Sequence, residues 1–175
     1  MRILKKTADI LNAAEDALIL ALCLILFFAG IYCLADSARL YGAASDRSLL
    51  IYRPDPGGTL DSSRLITENQ VAWIRIDGTD VDFPVLQGKD NSEYLNKDPY
   101  GEFSFSGSIF LDSRCDGGFL DGYSVIYGHH MSGGYMFGCL DRFLEEGYLK
   151  SHAKGTLTAK EKVYELRRHA KTPGA

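Results

Sequence analysis

Cysteine is scarce in this chain and poorly spaced for its usual structural roles. The four cysteines are Cys23, Cys33, Cys115 and Cys139. Their spacing matches neither a zinc pattern nor a redox Cys-x-x-Cys. Two of them lie in an apolar N-terminal run, which leaves only Cys115 and Cys139 for the remainder, so no disulfide framework is implied. Excess positive charge is also missing. The formal net charge is −4, whereas a phosphate-backbone partner favours a basic patch, so nucleic acid is not an expected partner. No fixed-period repeat is present, which argues against solenoids and propellers. There is no low-complexity tract, and 175 residues of ordinary globular composition correspond to one domain plus attachments.

Charge is absent altogether from Ala17 to Ala35, a stretch dominated by Leu, Ile, Phe and Ala. A helix of about 20 residues spans a bilayer's hydrocarbon core, so this segment is long enough to cross. Arg2, Lys5 and Lys6 precede it, and the positive-inside rule then places the N-terminus in the cytoplasm and the rest outside. A cleaved signal peptide is the rival reading. Its apolar region is shorter, about 7–15 residues, and Ala35-Asp36-Ser37-Ala38 is a poor cleavage site. The expected organisation is a cytoplasmic N-terminus over residues 1–16, a transmembrane signal-anchor helix over 17–35, a juxtamembrane helix and linker over 36–70, and an outer domain over 71–175.

Arg53-Pro54-Asp55-Pro56-Gly57-Gly58 breaks any helix leaving the bilayer and reads as linker, with a short helix or turn near residues 62–68. From Val71 the texture changes. Val71-Ala72-Trp73-Ile74-Arg75-Ile76 is rich in branched and aromatic residues and predicts a strand, followed by an Asp77-Gly78 turn. Residues 81–86 predict a second strand, whose Pro84 suggests an edge or a bulge. Residues 91–96 suit a short helix, and 107–111 and 123–127 predict two more strands. Phe137, Leu140, Phe143, Leu144 and Tyr148 give residues 136–149 the spacing of an amphipathic helix. Residues 156–158 and 162–166 complete the strand candidates. Short strands joined by turns predict a mostly β barrel or sandwich.

The residues with chemistry cluster at Tyr127-Gly128-His129-His130-Met131. His129 follows a strand and a glycine, at the mouth of a loop, where scaffolds commonly present reactive side chains. Imidazole exchanges protons near neutral pH and so suits general acid or base work. His130 is its neighbour, and in extended backbone neighbours point to opposite faces, so one role is not shared between them. Structural use of either histidine stands beside the catalytic reading. Metal binding is not expected, because adjacent histidines in a strand ligate one ion poorly and His152 and His169 have no matching spacing. A nucleophile is hard to find. Cys115 follows Arg114 but sits in an acidic, Gly-rich loop, Cys139 falls in the amphipathic segment and more naturally packs, and Ser132 is weaker still.

Several ordered motifs carry a family resemblance. The run from Trp73 to Asn91 resembles the early strands of class B sortases. So do Tyr94-Leu95-Asn96, Gly107-Ser108-Ile109-Phe110-Leu111-Asp112, and Val125-Ile126-Tyr127-Gly128-His129-His130-Met131 with Met136-Phe137. The resemblance implies a sortase-type β-barrel with short helices behind a transmembrane helix. It implies a cysteine transpeptidase that needs no cofactor. Such an enzyme cuts a sorting signal near the C-terminus of a secreted protein, holds it as an acyl-thioester and passes it to an amine on a cell-wall precursor or pilin. Of the family's catalytic His, Cys and Arg, the His maps onto His129, with His130 its structural neighbour.

The other two do not map. The family's Cys closes a Thr-Leu-x-Thr-Cys motif on a late strand, and its Arg, which stabilises the oxyanion, lies on a strand beyond. No such motif occurs among these residues, and Arg167 and Arg168 stand too early. From Arg167 to Ala175 the chain is polar and ends in breakers, where the family continues with an apolar strand. The expectation is a truncated barrel lacking its last strands, and an inactive chain, because a His alone cannot split an amide by this route. Two other readings stand beside it: a non-catalytic, membrane-tethered peptide-binding module, and a hydrolase using Cys115 or Cys139. A barrel short of strands exposes edges and apolar interior. The outer part purified alone is therefore expected to be unstable or to pair with another chain; a cooperative thermal melt of a monomer would count against this.

Overall fold

The structure is a computed structural model that describes residues 2–44, 46–152 and 154–167. Arg168, His169 and the rest of the polar tail lie outside the described residues. The chain divides into two compact units, Met1–Arg39 and Leu40–Ala175.

The first unit is helical. Helix α1 runs over Arg2–Ala44. Its apolar stretch is exposed along its length: Leu18, Phe27 and Leu34 are 72%, 62% and 74% exposed. Apolar residues all round a helix suit lipid better than water. Among the described residues, this is the one helix long and apolar enough to cross a membrane, with a mean hydropathy of 2.8 over its most apolar 18 residues.

The second unit is built on a six-stranded sheet. Its strands are β1 (Gln70–Ile76), β2 (Asp82–Leu86), β3 (Ile109–Leu111), β4 (Ile126–Tyr127), β5 (Lys154–Ala159) and β6 (Val163–Arg167). The order across the sheet is β4-β3-β2-β1-β5-β6. All neighbours run antiparallel except β2 and β3, which pair in parallel through Val85↔Ile109 and Leu86↔Phe110. The sheet curls into a half-barrel with short helical turns around it.

Strand β2 is interior, so Pro84 does not mark an edge. Pro84 is fully buried opposite Trp73. It is tolerated because β3 joins β2 only from Val85 onward, so the missing N–H takes nothing from that ladder. The irregularity falls on the partner strand, between Gln70 and Ala72. Between β1 and β2, Gly78 takes φ +74 in the tight turn, and the His152 ring lies where a β-carbon would project.

Residues 136–149 are not one α-helix. They form a 3₁₀ segment, Phe137–Leu144, then α2 (Glu146–Ser151), separated by Glu145 in extended backbone. Phe137, Leu140 and Phe143 recur every three residues, which aligns them along a 3₁₀ helix. The amphipathic face is real, but its period is three.

The segment between α1 and β1 is fastened to the sheet. Asp82 accepts from Trp73 Nε1 at 2.7 Å and from Arg53 at 3.0 Å. The Leu60 N–H donates to the Ala159 carbonyl at 3.0 Å. Beneath the sheet lies the main core, with Ala72, Ile74, Val81, Val85, Ile109, Leu111 and Leu157 buried together. A smaller cluster, Leu86, Tyr94 and Phe110, packs apart from it. Strand β3 feeds both clusters because successive side chains point to opposite faces.

Gly128, directly after β4, has no room for a β-carbon: Ile109 and Phe137 close on it. Gly128→Ala is expected to destabilise by about 1–3 kcal/mol, the usual cost of overpacking. The check is a lower urea midpoint followed by the emission of Trp73, which is buried and the only tryptophan.

Candidate active site

His129 stands two residues beyond β4, held from both sides. Its carbonyl accepts from the Phe137 N–H at 3.0 Å, and His130 bridges to Met136. These contacts pinch the loop between them at its base. Gly133 and Gly134 inside the loop, and Met136 at its base, take φ values of +78, +83 and +51.

The His129 ring is half-buried, with Nε2 2.8 Å from the Leu95 carbonyl oxygen. A carbonyl only accepts, so Nε2 carries the proton and Nδ1 is the nitrogen left to exchange one. Leu95 is itself fixed. It ends the 3₁₀ turn Glu93–Leu95, and the Ser108 N–H donates to the adjacent Tyr94 carbonyl at 3.0 Å. Gly107, at φ +57, passes so close that a β-carbon would lie 2.5 Å from the Leu95 oxygen. The glycine thus permits the backbone approach that aims the carbonyl at His129.

His129 lines a cleft of about 450 Å³ with Asn91, Leu95, Phe110, Tyr127, Gly128 and His130. The Tyr127 ring packs on Phe110 at 5.3 Å. Its hydroxyl donates to Asp112 at 3.0 Å, and that charged partner raises the phenol above its ordinary pKa. Asp112 is itself held well below the usual carboxylate range, first by the Arg114 side chain and then by the Arg114 backbone N–H.

His130 has a different partner. Its Nε2 is 2.7 Å from Asp141 Oδ2, and both side chains are exposed. The Asp141 hydrogen bond and charge raise the His130 pKa.

Neither cysteine of this unit lines the cleft. Cys115 is half-buried, its backbone N–H bonded to the Asp112 carbonyl and its own carbonyl accepting from Gln87 at 2.7 Å. Cys139 is buried with Sγ 3.5 Å from the Met136 carbonyl, and burial pushes its thiol up, away from thiolate. Ser132 is exposed in the 3₁₀ turn Ser132–Gly134. Arg167 pairs with Glu165 at 3.6 Å. His152 stacks on Tyr148, with ring centroids 4.0 Å apart. Among the described residues, no three His, Cys, Asp or Glu side chains gather as a metal site; His169 lies outside them.

Asn91, Leu95, Asp112 and Tyr127 carried no assigned chemistry in the sequence reading. Asn91 and Asp112 are 21 positions apart, and nothing local in the sequence signals that they meet.

The curled half-barrel with short helices is a sortase-type fold. No protein-family profile matches the chain. Sortase B of Listeria monocytogenes is 40% identical over 87 residues, which cover 50% of this chain and 35% of that protein. The crystal structure of sortase B from Bacillus anthracis aligns with TM-score 0.56 and 37% identity, over 58% of this chain and 49% of that one. A Streptococcus pyogenes class B sortase involved in pilus biogenesis aligns with TM-score 0.58 and 38% identity, over 65% and 63% of the two chains. Over the matched stretch the chain is similar to class B sortases, and that stretch spans about a third of the length of the curated relative from Listeria.

The His130–Asp141 pair gives a pH dependence with a definite sign. A histidine whose folded pKa is raised contributes stability in full below its unfolded pKa of about 6.5, and loses it as pH rises through the folded value. Amide protection in the loop between His130 and Met136 is therefore expected to be greater at acid than at alkaline pH. Asp141→Asn should bring the His130 titration midpoint, followed by NMR, down and remove that difference.

Proposed function

We propose that this chain carries the acid–base histidine of a class B sortase-like cysteine transpeptidase. The anchor is α1 over residues 17–35, with its N-terminus in the cytoplasm; residues 36–70 follow it, and the sortase-like domain from residue 71 lies outside the cell. The enzyme of this kind cleaves a C-terminal sorting signal on a secreted protein and joins the protein to a cell-wall or pilin amine. The observation that supports His129 as the acid and base is its hydrogen bond to the Leu95 carbonyl. That bond assigns the Nε2 proton and leaves Nδ1 to give a proton to the leaving amine when the ring is an imidazolium, and to take one from the incoming amine when the ring is neutral.

The proposal gives the nucleophile to neither Cys115 nor Cys139. The thiol of one is buried and pushed up, and neither lines the cleft of His129. Residues 1–175 by themselves are then inactive, since no thiolate is available to form the acyl-thioester. A second reading, a membrane-tethered module that binds a peptide without turnover, rests on the same observation: the cleft exists without a thiol in its wall.

The reading frame beyond Ala175 separates the two. A downstream Thr-Leu-x-Thr-Cys favours the enzyme. In a polypeptide carrying that motif, His129→Ala is expected to lower cleavage of a sorting-type peptide by about 10²–10⁴-fold. Full activity in that variant would end the acid–base assignment. Cleavage by residues 1–175 that disappears with Cys115→Ala or Cys139→Ala would replace it with a hydrolase.

A further inference from the structure

Asp112 plays no part in the acid–base reading, yet its carboxylate accepts five hydrogen bonds beside the cleft. It directly follows β3 and is 1% exposed. Its Oδ1 accepts from the Arg114 backbone N–H at 2.9 Å and from Arg114 Nε at 3.0 Å. Its Oδ2 accepts from Arg114 Nη2 at 2.8 Å, Asn91 Nδ2 at 3.0 Å and the Tyr127 hydroxyl at 3.0 Å. Two of these donors, Asn91 and Tyr127, line the cleft of His129.

We propose that Asp112 is a positioning residue that fixes the hydrogen-bond polarity of one wall of this cleft, so that the wall reads the backbone of an extended peptide. An ionised carboxylate accepts and never donates. Tyr127 therefore commits its one proton to Asp112, and its oxygen meets the cleft only as an acceptor. Asn91 commits one amide hydrogen to Asp112, and its Oδ1 accepts from the Ser113 N–H at 2.8 Å. Its amide is thus pinned at both ends, and the second N–H remains a donor. The wall offers one acceptor and one donor with no rotational freedom. A peptide strand offers N–H and C=O groups in alternation, whatever its side chains. The peptide clause rests on the function proposed above; the control of Tyr127 by Asp112 rests on geometry alone.

The test uses the full chain in detergent micelles, with tyrosine labelled by ¹³C at the ring Cζ and the Tyr127 signal assigned through Tyr127→Phe. Tyr127 should ionise above the ordinary value of about 10. Asp112→Asn should move that midpoint down. Arg114→Gln should move it up, because the guanidinium beside Tyr127 favours the phenolate. A merely structural Asp112 does not produce shifts of opposite sign, and two unchanged midpoints overturn its role.

Acetyl-tetra-alanine amide, with and without single N-methyl groups, then probes the wall. Wild-type shifts at the Gly128 and His129 amides should weaken several-fold when one particular N–H is methylated. Asp112→Asn and Tyr127→Phe should each abolish that discrimination. Equal binding of all the peptides to wild type overturns the backbone-reading clause. If wild type binds none while Tyr127 titrates as expected, the peptide reading of the cleft fails and the control of Tyr127 stands. Should Asp112→Asn not fold, Arg114→Gln, whose side chain is 81% exposed, carries the titration and Tyr127→Phe carries the peptide measurement.

Discussion

The alternation of side chains along the three residues of β3 is the constraint on which the cleft depends. Ile109 and Leu111 enter the main core, while Phe110 joins Leu86 and Tyr94 in the second cluster. A slip of one residue would send Phe110 into the core and both aliphatic side chains toward the cleft. The register is held by Val85↔Ile109 on one side and by Phe110↔Tyr127 on the other. Phe110 so placed supports the Tyr127 ring, and the next residue, Asp112, arrives where it can take the Tyr127 proton. Hydrophobic burial thereby sets the positions of polar groups that have little burial energy of their own.

The sheet was legible wherever one local rule sufficed. The run Val71–Ile76 is rich in branched and aromatic residues, and β1 occupies it. Asp77-Gly78 signalled a turn, and Gly78 takes the positive φ that turn needs. The rule failed at Pro84 because the exemption it exploits is non-local: a proline reads as an edge signal unless the length of β3 is known. It failed again over residues 136–149, where periods of 3.0 and 3.6 are too close to separate in a short segment.

At the cleft the split is similar. His129 was singled out because a histidine after a strand and a glycine is a local pattern. Its partner is not local, since the Leu95 carbonyl lies 34 positions away and reaches the ring only because Gly107 yields space. Asp112 was quoted as part of a motif with no chemistry attached. Its function is visible only when Asn91, Arg114 and Tyr127 converge on it, and pairwise contacts at such separations leave no periodic trace in one sequence.

The backbone after β4 explains how the histidine run serves several purposes. In extended chain, alternate residues share a face. Tyr127 and His129 line the cleft and Ile126 packs on the core, while Gly128, which also borders the cleft, lies against Ile109. The glycine is what lets this alternation continue: a β-carbon at 128 would strike Ile109 and Phe137. His130 comes next, and its ring pairs with Asp141 on the following 3₁₀ segment, leaving His129 with Leu95. The two histidines are thus divided by strand geometry before any chemistry is assigned. One is tied to a backbone acceptor that holds its tautomer, and the other to a carboxylate that holds the loop.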